Sequence, residues 1–133
     1  MIGLDTNVLA RFLVEDDPAQ CARARAVMEK SVEEGEDLYI PKIVLCELVW
    51  VLDRGYRFPR PRLISVLLNL LRAKNLVFED REQVRAALEA FQAGSADFAD
   101  YLIVEQCFDA GCDQVMSFDG SLAADTRVTQ PAR

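Results

Sequence analysis

The chain predicts an α/β protein built on a parallel sheet. Short apolar runs recur near residues 2, 38, 76 and 115, and stretches of helical periodicity separate them. Strands that alternate with helices point to a parallel sheet covered by helices on both faces. The chain has 133 residues, is 51% hydrophobic, and contains no linker-like, repetitive or low-complexity stretch. One domain spanning 1–133, with more helix than sheet and an ample core, is the simplest organisation.

Ile2 to Leu4 forms the first predicted strand, and Asp5 closes it. Thr6 and Asn7 then lead into Val8, Leu9, Phe12 and Leu13 at helical spacing. Asp5 therefore stands at the carboxyl end of a strand, where open α/β sheets bind their ligands. It is equally placed to cap the helix, and both roles stay open. Asp17 is a helix N-cap with Pro18 at the first helical position and Gln20 as capping-box partner, and this helix runs to about Val32. The acidic loop Glu33 to Asp37 ends it. Leu38-Tyr39-Ile40 is the second strand, closed by Pro41.

A strongly apolar helix follows from Ile43 to Leu52, then a basic loop from Arg54 to Arg62 that includes Tyr56 and Phe58. Leu63 to Leu71 is an amphipathic helix whose apolar side is a candidate dimer surface. Leu76 to Phe78 is the third strand. The helix over 80–92 places Val84, Ala87, Leu88 and Phe91 on one face. Gly94-Ser95-Ala96 interrupts the chain before a helix from Asp97 to about Asp109. Val115-Met116 is a fourth strand, and Arg127-Val128-Thr129 a last edge strand.

The chain contains no histidine, which removes Ser-His-Asp hydrolysis, Cys-His proteolysis and imidazole acid–base chemistry. Cys21, Cys46, Cys107 and Cys112 show no C-x-x-C spacing and read as reduced thiols. No apolar run reaches the roughly 18 residues of a spanning helix, and no basic n-region precedes an apolar segment. The expected location is the cytoplasm, with no membrane association. A net charge of −7 argues against nucleic-acid binding through overall charge, without excluding a local basic patch.

Carboxylates carry the remaining chemistry. Glu47 lies within ten otherwise apolar residues, so it is expected to be buried and in need of a cation or a charged partner; a place on the helix's one wet stripe is the alternative. Asp97 and Asp100, three apart, project from one side of a helix's first turn, where they also suit a cap. Asp119 repeats the opening pattern at the end of the fourth strand, and an Asp-Gly turn is its plain structural reading. Carboxylates converging in one place would repel one another, and an all-oxygen set of ligands suits Mg²⁺ or Mn²⁺. Such a centre is suited to hydrolysis of a phosphodiester.

L-D-T-N-V-L-A-R at the start, C-E-L-V-W-V-L around Glu47, A-D-F-A-D-Y-L-I from Ala96 and S-F-D-G from Ser117 together resemble the PIN-domain ribonucleases. Within them the likeness is greatest to the VapC toxins of bacterial toxin–antitoxin pairs, and it runs through the whole chain in order. The resemblance implies a three-layer α/β/α fold with a central short-stranded parallel sheet, and Mg²⁺- or Mn²⁺-dependent cleavage of RNA. It also implies a homodimer and a small cognate VapB-like antitoxin. Asp5, Glu47, Asp100 and Asp119 would be the catalytic, metal-holding acids, with Asp97 an accessory ligand. Thr6, Asn7 and Ser117 would be supporting polar groups. Ser117 stands where a Thr is common, and Tyr101 and Val104 where small residues are common.

Arg54, Arg57, Arg60 and Arg62, interleaved with Tyr56 and Phe58, are candidates for RNA or partner contact, with a solvated loop as the alternative. A catalytically silent binding module of the same fold is a second functional reading. A phosphatase or phosphoacceptor domain is a third, weakened because Asn7 stands where aspartate-nucleophile phosphatases want an acid.

Overall fold

Three parallel strands, β1 (Ile2–Gly3), β2 (Leu38–Ile40) and β3 (Leu76–Phe78), lie side by side in chain order. Ile2 is opposite Leu38, and Leu38 opposite Leu76. The Leu4 N–H donates to the Tyr39 carbonyl at 2.9 Å, which carries the pairing to the residue before Asp5. The computed structural model describes residues 1–132, and the chain separates into two units, Met1–Asp80 and Arg81 onward.

In the first unit the crossovers that parallel pairing requires are helical. Between β1 and β2 come α1 (Thr6–Leu13) and α2 (Pro18–Glu34). Asp17 caps α2 by accepting from the Gln20 N–H at 3.1 Å, with Pro18 at the first position, as expected. The reciprocal half of the expected capping box is not made, because the Gln20 side chain turns to Arg11 instead, its Oε1 accepting from Nε at 2.7 Å. Gly35, at φ 64, closes α2 in the left-handed conformation that a residue without Cβ adopts freely.

Between β2 and β3 come α3 (Lys42–Trp50), a π-helical turn over Val51–Gly55, and α4 (Arg60–Arg72). Leu9, Leu38, Ile40, Leu45, Leu48, Leu52 and Leu67 are almost wholly buried. Two expectations are corrected here. Leu63, Leu67, Leu70 and Leu71 are buried, so the apolar side of α4 belongs to the core and is not available to a dimer partner. The basic stretch is not one loop: Arg54 lies in the π-helical turn, while Arg60 and Arg62 lie in the first turn of α4.

The second unit is built on α5 (Arg81–Ala93) and α6 (Phe98–Asp109), which pack against each other. Val84, Ala87, Leu88 and Phe91 are the buried face of α5, as its spacing predicts. Phe91 meets Phe98 edge-on, with ring centroids 6.0 Å apart. The strands β4 (Val115–Met116) and β5 (Val128–Thr129) pair with each other in parallel as a separate two-stranded sheet. Arg127 ties β5 to α6, bonding Asp125 at 2.9 Å and Glu105 at 2.7 Å with its guanidinium over the Phe108 ring. Six α-helices among the described residues, with only parallel strand pairs, agree with the three-layer α/β/α class. The cysteines are unpaired, and burial pushes the Cys46 thiol upward, away from reactivity.

Candidate active site

In the first unit Asp5 does both jobs open to it. It follows the last paired residue of β1, and it is the N-cap of α1, its Oδ1 accepting from the Thr6 N–H at 2.8 Å. The carboxylate is exposed. Thr6 is buried, and its Oγ1 has no hydrogen-bond partner among the described residues. Asn7, next along α1, is exposed.

Glu47 corrects the burial argument. It is exposed, on the stripe of α3 shared with Ile43 and Trp50, four before it and three after. This is the wet-stripe alternative, with the difference that its neighbours there are apolar: Ile43 is 69% exposed and Trp50 45%. The π-helical turn over Val51–Gly55 begins four residues after it, and at the entry the Val51 N–H is shared between the Glu47 and Leu48 carbonyls.

The same unit contains a cluster that the sequence did not reveal. α3 has Pro41 at its N-cap position and no capping side chain of its own. Glu79, just past β3, takes over, its Oε1 accepting from the Lys42 N–H at 2.9 Å. The Lys42 ammonium meets Asp80 at 2.7 Å and is largely buried. Asp80 has a left-handed backbone (φ 48), uncommon outside glycine, and this ion pair helps hold it. The helix that carries Glu47 is thereby fixed to the carboxyl edge of the sheet.

The basic residues divide. Phe58 is buried beneath the Arg62 guanidinium, 3.7 Å from the ring centroid, so it is not free to stack on a base. The Tyr56 hydroxyl donates to Asp16 and accepts from Arg11. Arg54 lies 5.7 Å over Trp50, and Arg57 is exposed in a left-handed conformation.

The second unit brings three predicted acids together. Asp97 is the N-cap residue of α6, and Asp100 reaches back so that its Oδ2 accepts from the Asp97 N–H at 3.2 Å, part of a capping box. The Asp100 and Asp119 carboxyl groups are near enough for each to shift the other's titration. Burial first, and then the charges of Asp119 and Asp97, push the Asp100 carboxyl above the usual range. Asp119 is held below it by Ser121, whose hydroxyl and N–H donate to Oδ1 at 2.6 and 2.9 Å. Ser117 supports Asp119 through the backbone, its Oγ accepting the Asp119 N–H at 3.0 Å.

Two further supports were missed by sequence reasoning. Ser121 reads as a turn residue, and only its D-x-S spacing after Asp119 hints at the bond it makes. Tyr101 is buried and its hydroxyl accepts from the Ala96 N–H at 3.2 Å, which sets the loop leading into Asp97. A Cβ at Gly94 would meet that hydroxyl at 1.9 Å, so glycine is required there.

Among the described residues, neither unit by itself groups three His, Cys, Asp or Glu side chains in a way that could hold a metal ion. The donor chemistry nonetheless fits a hard divalent cation. Every candidate donor is an oxygen: in the second unit the Asp100 and Asp119 carboxyl groups are neighbours, and in the first the Thr6 hydroxyl is buried without a partner among the described residues.

An α/β chain with acids at its strand ends and helix starts is of the kind the family comparison identifies. The model of the PIN domain matches residues 2–125, and the chain belongs to that family. It is similar to the VapC ribonuclease of Aquifex aeolicus (strain VF5), with 28% identity over 115 residues that cover 86% of this chain and 84% of that protein.

Proposed function

We propose that this chain is a metal-dependent endoribonuclease and the toxin of a toxin–antitoxin pair. The observation that carries this reading is the match to the PIN domain over residues 2–125 in a chain without histidine that has Asp5, Glu47, Asp100 and Asp119 in order. Likeness to a VapC ribonuclease supports the substrate class and the toxin role. Asp5, Asp100 and Asp119 would hold Mg²⁺ or Mn²⁺, with Glu47 and Asp97 contributing to the same charge set. A bound cation supplies a more acidic water and a counter-charge for the phosphate. The chain's own residues divide the remaining work. Asp119, oriented by the Ser121 hydroxyl and N–H, is a fixed negative group, and Asp100, whose Oδ2 accepts from the Asp97 N–H, is a second carboxylate beside it that a bound cation would keep ionised.

The reading includes a small VapB-like antitoxin, a homodimer and a cytoplasmic location; no helix among the described residues is long and apolar enough to cross a membrane. Purified protein is expected to cut RNA with Mg²⁺ or Mn²⁺ and not in EDTA. Expression of the chain alone should arrest growth, and the neighbouring small open reading frame should relieve it. Equal cutting in EDTA sinks the metal reading. A second reading is a silent binding module of the same fold; RNA that is bound but never cut, with any divalent ion, would establish it.

A further inference from the structure

The crease between α1 and α2 is an open groove of about 450 Å³ with an apolar floor, in the size range of small-ligand pockets. Val8, Ala24 and Val27 form that floor, and Ala24 is buried. Polar groups occupy the rim. Arg11 is clamped there, its Nε on Gln20 and its Nη1 on Asp16 at 2.9 Å and Tyr56 at 3.0 Å. Its Nη2 takes no hydrogen-bond partner among the described residues. Arg23 is exposed on the same rim and makes no hydrogen bond or ion pair among the described residues. In a chain of net charge −7, Arg23 is thus a cation with no carboxylate partner among the described residues, while Arg11 is already paired with Asp16.

Asn7 and Gln20 complete the rim with side-chain amides. The Gln20 oxygen already accepts from Arg11, which leaves its NH₂ as a donor, while Asn7 offers a donor and an acceptor. Asn7 and Arg11 are four residues apart on one face of α1, about 6 Å along its axis. The end of the crease at Asn7 is the end of α1 that Asp5 caps. A flat apolar ring with a polar edge and an anionic tail matches this combination. A wholly apolar occupant would leave the Arg23 guanidinium and the Nη2 of Arg11 without an acceptor.

We propose that the α1–α2 crease is a nucleobase subsite that takes one unpaired nucleotide of the RNA and helps set sequence preference. The base lies on the floor of Val8, Ala24 and Val27, Asn7 and Gln20 read its edge, and Arg23 with Nη2 of Arg11 takes the phosphate. This inference rests on the ribonuclease reading for its biological meaning, and the test separates the two.

The full-length, isotope-labelled protein in EDTA is titrated with each of the four nucleoside 5′-monophosphates and with ribose 5-phosphate, followed by NMR. The expected result is saturable shifts at Asn7, Gln20, Ala24 and Val27. At least one nucleotide should bind about tenfold more tightly than ribose 5-phosphate. Ala26→Trp, at an exposed lining position, fills the groove and should remove those shifts and alter which sequences are cut. Arg23→Gln should weaken all four nucleotides alike, with thermal melts confirming that both variants fold. No shifts up to about 10 mM in a protein that cuts RNA overturns the subsite and leaves the nuclease reading intact. Equal binding of ribose 5-phosphate overturns base recognition, as does an unchanged cleavage preference in Ala26→Trp. Protection of the crease by a small protein partner, with no nucleotide binding, overturns it in favour of a protein-docking surface. Nucleotide binding at the crease without RNA cleavage upholds the subsite and removes the nuclease reading.

Discussion

Asp5 and Asp119 both follow a short strand, and both cap the helical turn after it, but they are held in different ways. Asp5 makes one bond, from the Thr6 N–H, and no other side chain fixes it among the described residues. Asp119 is fixed twice over, by the Ser121 hydroxyl and the Ser121 N–H, with the Asp100 carboxyl close by, while Ser117 holds its backbone. The first unit presents its acids singly, and the second presents a coupled set. A single carboxylate on a cap is free to meet a cation without breaking other bonds. A coupled pair has its charge conflict built in, and that conflict favours whatever neutralises it.

The largest test of this contrast is loss of activity. Asp5→Asn keeps a good N-cap, so α1 should form normally while RNA cleavage falls by at least ~100-fold. Asp119→Asn and Glu47→Gln are expected to fall at least as far. A rate within a few-fold of the unmodified chain in Asp5→Asn would reduce that residue to a cap. Next in size is Ser121→Ala. Removing the hydroxyl that aims Asp119 should lower cleavage by about 10–100-fold, as loss of an orienting partner commonly does. No matching variant exists for Asp5, which has no such partner. An unaffected rate in Ser121→Ala would show that the Ser121 N–H, which the variant keeps, is enough to position Asp119.

A third variant probes stability. Glu79→Ala removes a side chain that caps α3, and should cost about 1 kcal/mol, or a fall of about 4 °C in Tm. Glu79→Gln, which retains an acceptor, should restore most of it. Equal losses in both variants would assign the effect to charge rather than to the cap.

These supports explain what was legible beforehand. Leu38-Tyr39-Ile40 and Leu76-Val77-Phe78 were read to the residue because short apolar runs bounded by breakers leave little choice of strand. Asp17-Pro18 fixed the start of α2 for similarly local reasons. The exposure of Glu47 was not legible. Its stripe is shared with Ile43 and Trp50, and a continuous apolar run carries no period to mark which side faces water. The Lys42–Glu79 bond joins residues 37 apart, and nothing local announces it. The division of the strands into two sheets was equally hidden, since strands of two residues hold almost no register information.

The smallest expected effect is a change of sign inside the coupled pair, read from melts of metal-free protein in EDTA. Asp100 titrates above its ordinary range in the folded chain, so the fold favours its protonated form. That stabilisation is complete below the unfolded-state pKa and is lost as pH rises through the folded value. Near neutral pH the ionised group therefore works against folding. Asp100→Asn keeps an acceptor for the Asp97 N–H and adds a donor toward Asp119, so it should melt higher near pH 7, with the gain vanishing in acid. Asp119 is shifted the other way, and its contribution is present above the unfolded-state pKa and lost as pH falls through the lower folded value. Asp119→Asn should therefore melt lower near pH 7, and the gap should close on acidification. If both variants moved in the same direction, the two carboxylates would not be coupled in the way their geometry implies. Adding Mg²⁺ should then raise the melting temperature of the unmodified chain more than that of either variant, because only the intact pair has a charge conflict for the cation to relieve.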